Sequence, residues 1–127
     1  MNISCVKPYL TAYDFMRYLC ASLVLKQKTK VPLDSIVPKI YNYRKTHNNC
    51  FRIFSDIEFR TGIKDEDVVS NDIMESIGEL QTFGVVGKEN PKYINMLILL
   101  TRESAEAIIK DCPSEVSSVV DEIATSL

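Results

Sequence analysis

Histidine occurs once, at His47, and Cys50 stands three residues after it. An imidazole beside a thiolate would make either a nucleophile–base dyad or two ligands of a zinc ion. Zinc would need two more ligands from Cys5, Cys20 or Cys112, none at ligand spacing, and no C-x-x-C pair occurs. His47 runs into Asn48 and Asn49, so a solvated polar residue is the expected state. Lys64-Asp65-Glu66-Asp67 concentrates carboxylates without the pattern of a calcium loop. Gly62, Gly78, Gly84 and Gly87 form no phosphate-cradling spacing. These residues predict no catalytic group, no metal, no cofactor and no small-molecule substrate. The expected class is non-enzymatic.

Charge is the stronger signal. Residues 1–60 carry ten Lys/Arg against four acids, a net of +6, and residues 61–127 carry five against thirteen, a net of −8. A basic half can meet nucleic acid or an acidic protein face, while an acidic half repels phosphate. The basic residues Lys26, Lys28, Lys30, Lys39, Arg44 and Lys45 gather around Tyr41 and Tyr43, which could stack on bases.

The elements that would position these groups follow from apolar spacing and capping. Thr11 and Asp14 open a helix whose stripe is Phe15, Met16, Leu19, Cys20 and Leu23. The run Lys26-Gln27-Lys28-Thr29-Lys30 closes it, with cations at its negative pole, and Pro32 breaks the chain. A second helix is expected from Asp34 or Ser35, with Pro38 in its first turn and His47-Asn48-Asn49 as its stop. Residues 50–59 fit both periods, and the Asn before and Gly62 after favour a short helix. Ser70 caps a third helix carrying Ile73, Ile77 and Leu80, with Gly84 as a left-handed terminus. Val85-Val86 then reads as a strand, 87–92 as a turn and 93–100 as a long strand. Thr101 caps a further helix, and Pro113 opens a last one with the stripe Val116, Val119, Val120, Ile123 and Leu127.

With 127 residues, 46% hydrophobic and 25% charged, the chain reads as one ordinary globular domain. Its helical first half is 1–62 and its helix–hairpin–helix second half is 63–127. The expected class is mainly α with a small β-hairpin, an α+β fold. No apolar run approaches the length of a membrane span, and no leader pattern opens the chain, so a cytoplasmic protein without a membrane partner is expected.

The stretch "SNDIMESIGELQTFGVVGKENPKYINMLILLTRESAEAII", residues 70–109, resembles the winged helix-turn-helix superfamily. The resemblance implies a winged-helix core with extra N- and C-terminal helices, in which 71–83 is the recognition helix and the hairpin is the wing. The order "FRIFSDIEF", helix, "GVV" and wing is also similar to small winged-helix accessory subunits of SMC-like ATPase systems, including bacterial defence assemblies. The fold serves both DNA readers and protein-docking modules, so residue chemistry has to choose. The 71–83 helix holds no Lys or Arg and three carboxylates, Asp72, Glu75 and Glu79. Such a face opposes the phosphate field that dominates DNA affinity. The expected function is therefore an adaptor or accessory subunit that binds another protein or itself. Its contact residues would be Asp72, Glu75 and Glu79, with Val116, Val120 and Ile123 of the last helix. The alternative is a DNA-binding regulator or antitoxin-like repressor using the six basic residues above with Lys88 and Lys92 of the wing.

Overall fold

A computed structural model describes residues 9–47, 52–63, 67–88 and 94–127. The order is α1 (Ala12–Leu25), β1 (Lys30–Pro32), α2 (Leu33–Thr46), α3 (Asn71–Thr82), β2 (Val86–Lys88), β3 (Asn95–Ile98), α4 (Arg102–Lys110) and α5 (Ser114–Ser126). The class is mainly helical with a small antiparallel sheet.

Helix α1 is the hub, with α3, α4 and α5 all packed on it. Apolar residues run nearly all round it, as a helix enclosed by others requires. Burial therefore extends beyond the expected stripe to Ala12, Tyr18, Ala21, Ser22 and Val24. The Thr11 hydroxyl accepts from the Asp14 N–H at 3.0 Å, and the Asp56 carboxylate accepts from the Ala12 N–H at 2.7 Å. Two of the orphan N–H groups at this helix start are thus satisfied. At the other end the Lys28 N–H reaches the Leu23 carbonyl and the Gln27 N–H reaches that of Val24. This is a Schellman ending, with Gln27 at φ 62° where glycine is the usual residue. Helix α3 ends in the same way, through Val85 to Leu80 and Gly84 to Gln81, with Gly84 at φ 76°.

The left-handed turn at Gln27 returns the chain as β1, which the sequence reading lacks. Lys30-Val31-Pro32 pairs with β3, and the sheet order is β1-β3-β2. Three residues ending in proline give little strand signal, and proline is tolerated here because β1 is an edge. Strand β3 alternates, burying Met96 and Ile98.

Helix α2 starts at Leu33, one to two residues before the expected start, so Pro38 falls in its second turn. Proline has no N–H to offer the Asp34 carbonyl one turn back. Residues 52–56 form turns instead of the expected helix, yet Ile53, Phe54 and Ile57 are buried. Phe54 packs on Phe15 at 5.3 Å between ring centroids. Both apolar periods fit the sequence equally because the segment fills a gap in the core and follows neither. Arg60 and Val69 then exchange backbone hydrogen bonds of 2.8 Å in an isolated antiparallel bridge. Val69 leads to Ser70, whose hydroxyl accepts from the Ile73 N–H and caps α3. Helix α2 packs on α5 and β1. Among the described residues, no helix is long and apolar enough to cross a membrane.

Candidate docking surface

Helix α3 buries Ile73, Ile77 and Leu80 against α1 and turns a second face outward. That face carries Met74, Glu75, Gly78 and Glu79, with Phe83 just past the helix end, and all five are exposed. It is flanked by two depressions.

Toward α2 lies an open groove of about 670 Å³. Its apolar walls are Leu33, Val37 and Pro38 on α2 and Val68, Val69 and Met74 opposite. Asp34, Asp67, Ser70 and Asn71 supply its polar atoms. Toward the start of α1 lies a more polar trough of about 340 Å³, lined by Tyr13, Asp56, Asp72, Glu75 and Glu79 among others. Two of these carboxylates are already engaged. Asp56 holds the Ala12 N–H, and Asp72 accepts from the Glu58 N–H at 2.7 Å.

That engagement corrects the first site expectation. Asp72 is half-buried and fastens the 52–58 segment to α3, whereas Glu75 and Glu79 remain outward. The expectation for the last helix is corrected more fully. Val116, Val120 and Ile123 are 0%, 0% and 1% exposed, because α5 lays its stripe on α1 and α2. They are core and present nothing to a partner.

The basic residues divide in the same manner. Lys26 pairs with Asp121 of α5 at 2.8 Å. The Lys28 ammonium donates to the carbonyls of Ala124 and Thr125, at 3.0 and 2.8 Å, and so caps the last turn of α5. Arg44 lies over the rings of Phe59 and Tyr41, and Lys45 over Tyr41. Lys30 and Lys39 are exposed, on β1 and α2. Lys88 closes β2, and Lys92 lies outside the described residues. The expected basic strip is therefore divided: Lys26 and Lys28 are spent on α5, Lys39, Arg44 and Lys45 lie on α2, and Lys30 lies on β1. Tyr43 is not a free stacking platform: its ring stacks on His47 at 3.9 Å and 8°, and its hydroxyl donates to Glu122.

His47 is held on both sides. Its Nδ1 lies 2.9 Å from the Tyr43 carbonyl, and its Nε2 lies 4.0 Å from the Glu122 carboxylate. Cys50, the other half of the supposed dyad, lies outside the described residues, as do Cys5 and Lys64-Asp65-Glu66. Cys20 and Cys112 are free thiols, pushed up by burial to about 12 and about 11. Neither is an activated thiolate at neutral pH. Among the described residues, no group of three His, Cys, Asp or Glu side chains could hold a metal ion.

Sequence reasoning missed the groove. Met74 stands beside Ile73 and off the main stripe, which was its one sequence signal. Val69 gave none, since its exposure follows from the bridge to Arg60. Protein-family models, curated proteins and solved structures were each compared with this chain, and none of them matches it.

Proposed function

We propose that this chain is a non-enzymatic winged-helix module that docks another protein through the outward face of α3, as an adaptor or accessory subunit of a larger assembly. The element order supports the winged-helix reading, with three helices, a short strand after the first, and α3 running directly into the β2–β3 hairpin. The long 47–70 connection departs from the 3–4-residue turn of a simple helix-turn-helix. One observation carries the functional reading: the outward face of α3 exposes Met74, Glu75, Glu79 and Phe83 and not one cation. A DNA-reading helix needs donors and positive charge at that place. The alternative DNA reading also loses Lys26 and Lys28 to the fastening of α5.

Titration with labelled duplex DNA from low to physiological salt tests this. The module is expected to show no saturable binding. Binding that weakens steeply with salt, and that falls when Lys39, Arg44 and Lys45 are replaced by Ala, would assign it to nucleic acid.

A further inference from the structure

We propose that the α2–α3 groove receives an amphipathic helix whose apolar side is flanked by Lys or Arg. This deepens the protein-docking reading and rests on it. Seven large hydrophobic residues are exposed among the described residues. Val69 and Met74 line this groove, at 50% and 44% exposure. A third, Ile94, is tied through its carbonyl to the N–H of Leu33, a groove residue. Apolar surface collected in one concave place marks an interaction site.

The polar chemistry of the groove fixes the sign of the occupant. Asp34 and Asp67 both line it, and neither has a hydrogen bond or ion pair among the described residues. Pro38, also on the wall, leaves the Asp34 carbonyl without the donor that an α-helix normally supplies. Glu75, next to Met74 on α3, is an exposed carboxylate that lines the trough and not the groove. No Lys or Arg is among the described lining residues. Lys39 follows Pro38 along α2 and is exposed, and Arg60 meets Val69 through the backbone bridge, but neither lines the groove. The wall thus offers acceptors and needs donors. A cationic rim on the occupant meets them, while the floor takes its apolar residues.

Gly78 indicates how closely the occupant approaches. It lies one turn beyond Met74 on the exposed ridge of α3, and a Cβ placed there would meet nothing within 4 Å. Glycine in an exposed helix interior costs about 1 kcal/mol relative to alanine. Nothing in the packing of the described residues requires it. A helix crossing α3 at Gly78 would require it, because the missing Cβ lets the two backbones approach.

The test uses two labelled peptides with one apolar pattern, a Leu/Lys and a Leu/Glu amphipathic helix, titrated into the full chain by fluorescence anisotropy. The Leu/Lys peptide is expected to bind and the Leu/Glu peptide not to bind. Val69→Ser with Met74→Ser should weaken binding about tenfold or more, and Asp34→Asn with Asp67→Asn about three- to tenfold. Gly78→Leu should abolish binding while the thermal melt stays at or above the parent value. Glu103→Gln with Glu106→Gln on α4 should change nothing, which separates the groove from general attraction to an acidic protein. Equal binding of both peptides, no binding of the Leu/Lys peptide, or indifference to the groove variants would overturn the proposal. Loss on Glu75→Gln with Glu79→Gln, combined with indifference to the groove variants, would keep protein docking and reject the groove. Self-association abolished by Val69→Ser with Met74→Ser would assign the groove to a second copy and overturn the helical-peptide occupant.

Discussion

Helices α3 and α5 look alike as sequences. Each has an apolar stripe at helical spacing, carboxylates on its other side, and no Lys or Arg. Both rest that stripe on α1. They differ in what meets their polar sides. For α5 the chain supplies partners itself: Lys26 on Asp121, Tyr43 on Glu122, Arg52 near Glu115 at 3.8 Å, and Lys28 on the terminal carbonyls. For α3, among the described residues, the chain engages the carboxylate of Asp72 and leaves Glu75, Gly78, Glu79 and Met74 exposed. An amphipathic pattern therefore does not distinguish a helix that completes a core from one that awaits a partner. The difference lies in charges brought from distant parts of the chain.

Substitutions break this comparison most sharply at the α5 stripe. Ile123→Ala should cost about 2–5 kcal/mol in urea unfolding, as large-to-small changes in a packed core do. Met74→Ala on the open side of α3 should stay within about 0.5 kcal/mol. If the two losses are equal, the assignment of one helix to the core and the other to a partner fails.

Alkaline pH loosens the helix that both share. Burial raises the Cys20 thiol on α1 to about 12, above its ordinary value near 9. The stability this contributes is complete below the unfolded thiol's pKa and is lost as pH rises through the folded one. The melting temperature should fall progressively above pH 9, and Cys20→Ala should flatten that fall. Its thiol should also resist alkylation at pH 8 in the native state.

Removing the cap from α5 gives a smaller effect. Lys28→Met keeps the aliphatic stem and deletes both bonds to the last turn, at about 1–2 kcal/mol. Hydrogen exchange should speed up at the end of α5 and stay unchanged in α3.

Glycine exchanges reverse the sign. Gly78→Ala should stabilise the free chain by about 0.5–1 kcal/mol. Gln27→Gly should gain about 0.5 kcal/mol by relieving a left-handed backbone. A melt that fails to rise with Gly78→Ala would mean that the chain's own packing uses that glycine.

How far the sequence revealed this arrangement depends on whether local or distant residues decide it. Thr11, Ser70 and Thr101 were legible as caps, because a cap and its N–H lie three residues apart. The α3 terminus was legible because Gly84 occupies the left-handed position. The α1 end was legible from the Lys26–Lys30 run, but its left-handed form was not, since Gln27 occupies that position without any compositional mark. Strand β1 was hidden because its pairing partner lies more than sixty residues away and its own three residues are unremarkable. The 52–57 segment misled because Phe54 and Ile57 answer to a three-dimensional gap. At the candidate site, the outward Glu75 and Glu79 followed from helical spacing. The groove did not, because one wall comes from α2 and the other from residues 67–74, about thirty positions further along the chain.

The central claim is that the outward face of α3 grips protein. It is tested most directly by a photo-reactive amino acid in place of Glu75, which is exposed beside Met74 on that face. Irradiation in the cell should give a discrete protein adduct that is absent when the same probe replaces Glu103 on α4, and the adduct should diminish when the Leu/Lys peptide is added to permeabilised cells. An adduct with nucleic acid, or the same set of adducts from both positions, would contradict the account.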